Sequence, residues 1–393
     1  MKVILAHNYY QQPGGEDRVF SHERQLLESY GHQVVTYERT NSELLNHSPW
    51  EKLLLPKRVI WAEDARRDMT ELLRNEKPDI VHVHNTFTQI SPSIFGACRE
   101  AGIPVVKTLH NFRLLCPGGI FFRHGKICEE CQDFSLWRSV RHACYRDSYS
   151  ATATTAVMLA VHRKARTWLD DVTGYIALSQ FSRRKFIQGG LPPDKIRVKP
   201  NFIFRDPGQK NEAGEGAIYV GRLAPGKGVG TLLLAWRRLS ARVPLQILGD
   251  GPARRELEAM ASDLNLSQVT FRGFVSNEVA RSAIKRARLL VLPSENYENF
   301  PVTIVEAFSC GTPILCSRLG AMQEIVTDGV TGLQFTPGSA EELAAKLDWA
   351  WSHPRAMEEM GKAARLEYEE KYTAERNYAM LMDIYRQAIS SCQ

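Results

Sequence analysis

Short apolar, β-branched runs alternate with longer helical patterns, in two sets divided by one polar segment, and this alternation constrains the fold more than any other feature. The first set is Lys2–His7, Val34–Glu38, Asp79–His84, Val105–His110, Tyr175–Ser179 and Arg197–Lys199. The second is Ala217–Gly221, Leu245–Gly249, Val269–Phe271, Leu289–Pro293, Ile314–Ser317 and a short run near Leu333. Strands alternating with helices predict parallel sheets covered on both faces. A chain of 393 residues is too long for one ordinary core, so two such domains are predicted. The stretch from Pro200 to Gly216 is polar and punctuated by Pro and Gly, which marks it as the linker. Helical periodicity resumes from Thr373 to Ser390. No repeats or low-complexity tracts interrupt the pattern.

Composition narrows the class. A hydrophobic content of 44% with 24% charged residues is that of a soluble globular protein. Met1–Ala6 meets polar His7-Asn8 at once and reads as a first strand, not a signal peptide. Ala151–Val161 is too short to span a bilayer and is interrupted by Thr152, Thr154 and Thr155. The expectation is a cytosolic enzyme at the inner face of the cytoplasmic membrane. Net charge is +6, concentrated between Trp137 and Trp168, where Arg138, Arg141, Arg146, Arg163, Lys164 and Arg166 face one acid, Asp147. Such a segment suits anionic lipid or a phosphorylated acceptor, or is simply a solvated helix face. It lacks regular aromatic interleaving, and no recognition module for nucleic acid is visible.

Eight Cys without an export signal predict reduced thiols. Cys128 and Cys131 form a CxxC pair flanked by Cys116 and Cys144, which could close a structural zinc site pinning a long loop. Four free thiols or a redox-sensitive pair fit the same spacing.

Two stretches carry the chemistry. Glu298 and Glu306 straddle a predicted helix start, with Pro301 suited to the first helical position. The amides near Phe300 and Val302 then form a positive terminus fit for an oxygen-rich ligand. Earlier, Gly221-Arg222-Leu223-Ala224-Pro225-Gly226-Lys227-Gly228 follows a strand. It nearly matches a P-loop, but Gly228 stands where the Mg²⁺-binding hydroxyl belongs, and Pro225 removes an amide from the cradle. Carboxylates for hydroxyls and cations for a diphosphate are what a nucleotide-sugar site needs. No Asp-x-Asp suited to a nucleotide-bound metal occurs, so catalysis is expected to need no cofactor.

Gly221-Arg222-Leu223, Lys227-Gly228, Leu248-Gly249-Asp250-Gly251-Pro252, Arg272-Gly273-Phe274 and the Glu298/Glu306 pair followed by Ala307 occur in one order across residues 217–332. In these motifs the chain resembles the retaining GT-B glycosyltransferases of family 4 (glycosyl transferases group 1). Gly14-Gly15 and Thr108-Leu109-His110 extend the resemblance into the first half. It implies two Rossmann-like domains facing across a cleft. Residues 1–203 would bind the acceptor, with a Cys-containing insertion at about 112–147, and 204–371 would bind the donor. A helix over 372–393 would cross back to the first domain. Arg222 and Lys227 would clamp the diphosphate of a UDP- or GDP-sugar, Glu306 the ribose, and Glu298 the transferred sugar. The backbone at Gly273 and Phe274 would receive the base.

His110 would bond the sugar near its reacting carbon, although a lone His is also often structural. Gly14-Gly15 would close over the donor phosphate, or be a glycine turn whose Glu16 and Asp17 favour a helix start. His82 and His84 share a strand face and read as a cleft wall or a metal pair. The implied reaction is metal-independent, front-face sugar transfer to a hydroxyl of a lipid-linked or growing cell-surface glycan. A GT-B epimerase or phosphorylase, or a non-catalytic nucleotide-sugar binder, would share the pattern.

Overall fold

The computed structural model describes residues 1–392 except 13, 47, 134 and 213. The early strands are β1 (Lys2–Tyr9), β2 (Gln33–Thr40), β3 (Ile80–Val83), β4 (Val105–Thr108), β5 (Phe122–Arg123), β6 (Lys126–Ile127), β7 (Gly174–Ala177) and β8 (Ile196–Val198). Strands β5 and β6 pair as an antiparallel hairpin; the others form a parallel sheet in the order β2-β1-β3-β4-β7-β8. The later strands are β9 (Ala217–Val220), β10 (Leu245–Leu248), β11 (Val269–Gly273), β12 (Leu289–Leu292), β13 (Ile314–Ser317) and β14 (Gly332–Phe335). They form a second parallel sheet in the order β11-β10-β9-β12-β13-β14. The winding direction reverses between β1 and β3 in one sheet and between β9 and β12 in the other. In open α/β sheets, ligands bind beyond the carboxyl ends of the strands at such a reversal.

Two compact units result. One comprises Met1–Phe121, Cys128–Pro200 and the chain from Ala374; the other comprises Phe122–Ile127 and Asn201–Thr373. This corrects the expected first domain, which loses the hairpin at 122–127. Strands of two residues cannot hold themselves, and Phe122 lies against Gly226, where an added Cβ would meet its ring at 3.0 Å.

The helix Ala374–Ser390 belongs to the first unit, as its buried stripe of Asn377, Leu381, Ile384, Tyr385 and Ala388 requires. Tyr378 stacks on Tyr30 with ring centroids 3.6 Å apart, and its hydroxyl meets His32 Nε2 at 2.8 Å. In the second unit, Trp236 anchors a core with Leu232, Leu233, Leu245, Ile247 and Leu347. Its indole N–H is satisfied by the Val243 carbonyl at 2.8 Å. Truncating one of these leucines to Ala would cost about 2–5 kcal/mol. The linker is fastened by Asp206, whose two oxygens take both terminal nitrogens of Arg365 at 2.8 and 2.7 Å.

Candidate active site

In the second unit, both motif-bearing loops leave strands that flank the reversal: Gly221–Gly228 follows β9, and Pro293–Pro301 follows β12. Local chemistry fixes the first loop. Gly228 caps the helix Val229–Arg238 in the left-handed region, at φ 69°. A Cβ there would stand 1.8 Å from the Pro293 carbonyl oxygen, so only glycine fits. Leu223 N–H donates to the Asp250 carbonyl at 2.9 Å, and the Leu223 carbonyl accepts from Ala253 N–H at 3.0 Å. Asp250 itself takes Arg254 at 2.9 Å, so this turn is a brace. Tyr219 O–H holds the Arg222 carbonyl at 3.1 Å. The Arg222 side chain projects outward, exposed, with no protein partner among the described residues.

The second loop is tied to the first. Glu295 and Asn296 N–H groups both donate to the Gly226 carbonyl, at 2.7 and 3.2 Å, and Thr231 O–H donates to Glu295 Oε1 at 2.6 Å. Lys227 Nζ then meets Glu298 Oε1 at 2.5 Å, and Ser294 O–H donates to the same oxygen at 2.7 Å. Pro301 is the N-cap, and the helix runs Val302–Ser309, one residue later than the sequence predicted. Its ψ of 117° is extended, which leaves Val302 as the first helical position. The side chains of Phe300 and Val302 are buried, so these two residues offer backbone only. Glu306 is buried in the second helical turn, 1% exposed. Gly273 is buried at the end of β11, and Phe274 beyond it is 72% exposed.

The first unit carries a different assembly. Gly14, at φ −128°, caps the helix Gly15–Ser29, and Asp17 Oδ2 accepts its N–H at 2.7 Å. Asp17 Oδ1 lies 2.7 Å from His7 Nε2. Asp17 shapes this turn, and neither glycine lies in the left-handed region. Behind it, Glu23, His82 and His84 converge with ligand atoms within 4.8 Å of one another. Their surroundings do not fit a metal. Lys199 ammonium is bonded to Glu23 Oε1, and both His82 nitrogens are engaged, by Tyr385 O at 2.8 Å and Thr108 Oγ1 at 2.7 Å. Lys199 also donates to Asn377 Oδ1 at 2.9 Å. The helix Ala374–Ser390 thus supplies two partners of this cluster.

The cluster ends at His110. His84 Nε2 lies 3.1 Å from Glu23 Oε2, and His84 Nδ1 lies 3.0 Å from His110 Nε2. Burial opposes the charge of Glu23, but Lys199 and the histidines outweigh it and hold the carboxyl well below its usual range. Burial and neighbouring charge push His82 and His110 well below the usual imidazole value, and His84 is lowered too. All three rings are therefore neutral at pH 7. With an ionised Glu23 opposite Nε2, His84 carries its proton there. Its Nδ1 then accepts the Nε2 proton of His110.

Cys116, Cys128, Cys131 and Cys144 lie in the first unit. Cys116 and Cys131 thiols contact each other, and N–H groups of Gly118, Gly119 and Phe121 point at Cys116 sulfur, so its thiol is lowered below the usual range. Cys128 and Cys144 lie near enough for their charge to act on Cys131. Of the basic segment, Arg138 reaches Glu130 at 3.6 Å, Arg166 reaches Asp170 at 2.9 Å, and Arg163 donates to the Leu114 carbonyl at 2.8 Å. Arg141, Arg146 and Lys164 stay exposed. No helix among the described residues is long and apolar enough to cross a membrane.

Two family models match in tandem: Glycosyltransferase Family 4 over residues 13–206 and Glycosyl transferases group 1 over 201–367. The α-D-kanosaminyltransferase of Streptomyces kanamyceticus is 32% identical over 297 residues, spanning 74% of this chain and 72% of that one. The chain is a family 4 glycosyltransferase. The O-antigen chain mannosyltransferase C of Escherichia coli is 26% identical over 44% of this chain and 47% of its own. The fold is GT-B: the structure of Anabaena HepE with UDP-glucose superposes with a TM-score of 0.67 at 21% identity, covering 100% of this chain and 99% of that chain. Within this family 4 enzyme, sequence reasoning missed Ser294, Thr231 and Glu295 as supports of the two motif-bearing loops. It also missed Glu23, Lys199, Asn377 and Tyr385 behind His110.

Proposed function

We propose that this enzyme transfers a sugar, with retention, from a UDP- or GDP-sugar to an acceptor hydroxyl, without a catalytic metal. The observation that carries this is the Lys227–Glu298 contact of 2.5 Å beside the unpaired Arg222. Lys227 has three donors, so two remain for diphosphate oxygens after Glu298 takes one. Glu298 retains a second oxygen for a sugar hydroxyl. Glu306 serves the ribose, the Gly273–Phe274 backbone the base, and the amides at the helix start a phosphate. Gly14 and Gly15 are proposed to contact a phosphate, and His110 a sugar hydroxyl.

In the reaction, the bond from the anomeric carbon to phosphate oxygen breaks, and the bond to the acceptor oxygen forms on the same face. The acceptor proton passes to the leaving diphosphate. Negative charge grows on that diphosphate, and fixed cations stabilise it more in the transition state than in the ground state. Arg222 and Lys227 supply that charge themselves, which supports metal independence. A glycan acceptor is supported by the O-antigen relative. The exposed Arg141, Arg146 and Lys164 are proposed to rest on an anionic membrane surface.

The test is donor hydrolysis and transfer across UDP-, GDP- and ADP-sugars in EDTA. One donor should turn over, and Lys227→Ala or Arg222→Ala should lower its rate by roughly 10²–10³. Turnover that needs added Mg²⁺, or survives both substitutions, refutes the assignment.

The four cysteines are proposed to close on one structural zinc. The support is the thiol cluster and the amides aimed at Cys116, since such N–H groups stabilise thiolate. Metal analysis should find about one zinc per chain, and Co²⁺ in its place should show thiolate charge-transfer bands. Four thiols free to react at once in EDTA-free buffer refute it.

A further inference from the structure

The first unit holds a cavity of about 40 Å³ beyond the carboxyl ends of β3 and β4, walled in part by Lys107, Arg113, Asn111, His110, Phe87 and Trp168. Lys107 is unusual there. It lies on a buried strand, is 7% exposed, and its ammonium reaches no hydrogen-bond acceptor among the described residues. Its nearest ring is Phe95, 5.8 Å away. Arg113 is held flat between Phe87 and Tyr145, at 4.2 and 4.9 Å from the ring centroids. It gives a bond to the Pro117 carbonyl at 3.1 Å and interacts with the Tyr10 hydroxyl, while its buried Nε has no acceptor. Two cations thus border one small space with their hydrogen-bonding capacity largely unspent. A buried charge left so is costly unless something pairs with it.

Glu16 is the carboxyl whose charge acts on both cations. It is occupied by Asn85 at 3.1 Å and Asn111 at 3.4 Å, and burial together with Asp17 pushes it up to about 7. Half its charge is therefore absent near neutral pH. His84 and His110 are neutral, so the wall is net positive.

We infer that this cavity binds an anionic group of the acceptor, a carboxylate or phosphate borne on the sugar that receives the transferred residue. The volume holds about three water-sized particles, which suits one anionic head and not a whole ring. Paired cations on rigid aromatic supports favour bidentate oxygens. The inference deepens the proposed transfer reaction, and rests on it only in calling the ligand an acceptor.

Binding of D-glucuronate, D-glucose 6-phosphate and D-glucose can be measured by saturation-transfer NMR on the whole protein and on Lys107→Met and Arg113→Gln. UDP is titrated alongside as the donor-site probe. At least one charged sugar should bind tenfold or more tightly than glucose, and lose at least tenfold in each variant, with UDP binding unchanged. Preference for glucuronate identifies a uronic acid acceptor; preference for glucose 6-phosphate identifies a phosphorylated one. Charged sugars that bind no better than glucose, or equally well in both variants, overturn the inference. Should UDP fail to bind while the charged sugars still do, the donor assignment falls and the anion site stands. Arg113→Gln, at a part-buried loop position, keeps the test valid if Lys107→Met does not fold.

Discussion

The two units share an architecture of six parallel strands with one reversal, yet they place their polar groups differently. In the second, β12 and β13 are buried and nearly all apolar, and Arg222, Lys227 and Glu298 sit on loops that the core supports, with Glu306 alone of the site's charged groups buried in a helix. In the first, β3 and β4 are equally buried but carry His82, Lys107 and Thr108. Lys199 and Glu23 are likewise buried inside. One unit separates chemistry from stability; the other makes them depend on the same residues.

Breaking the first unit's buried pair should therefore have the largest effect. Glu23→Gln leaves the Lys199 ammonium buried without its counter-charge, at a cost of about 3–5 kcal/mol. Hydrogen exchange should show lost protection in β1, β3 and β4 while β9 and β12 keep theirs. Equal loss in both sheets would contradict the comparison.

Acidification should act in the same direction. His82, His84 and His110 have folded-state values below that of the unfolded chain, so below about pH 6.5 the unfolded state binds more protons. Stability then falls with pH by at most about 1.4 kcal/mol per unit for each proton. Glu23, also lowered, adds to the loss only at more acidic pH. Glu16, raised to about 7, works the other way and offsets one proton's worth. Urea unfolding at pH 7.5 and pH 5.5, followed by exchange in each sheet, should show the first sheet losing more.

Tyr385→Phe removes the 2.8 Å contact to His82 and should cost about 1 kcal/mol, read as a shift in the urea midpoint. Lys227→Ala should barely move stability, since a part-exposed ion pair contributes about 1 kcal/mol or less. A large loss of stability there would show that the second unit is also built around its charges.

The strands were legible because buried parallel strands are runs of Val, Ile and Leu, and the first loop because Gly221, Arg222 and Lys227 fall within one eight-residue stretch. The hairpin was not, since Phe122-Arg123 and Lys126-Ile127 are too short to show a period. His124 and Gly125, both at positive φ, were its only local signal. The cluster behind His110 is assembled from residues as far apart as Glu23, Lys199 and Asn377, and pairing over such distances leaves no local sign of which residues pair. A weaker trace existed. Glu23 lies on the helical stripe of Val19, Phe20, Leu26 and Leu27, and Asn377 on that of Leu381, Ile384 and Tyr385. A polar residue inside an apolar stripe needs a buried partner, although the stripe does not say which.

The helix Ala374–Ser390 leaves the ribosome long after the sheet it completes. Translation proceeds at about 5–20 residues per second, so roughly 10–35 s separate Pro200 from Ala374. Throughout that interval the nascent first sheet has Lys199 and His82 without Asn377 and Tyr385, and the second unit can finish folding before the first. Synthesis thus leaves the half that begins emerging first incomplete the longest, and that half would be the one that most needs chaperone protection.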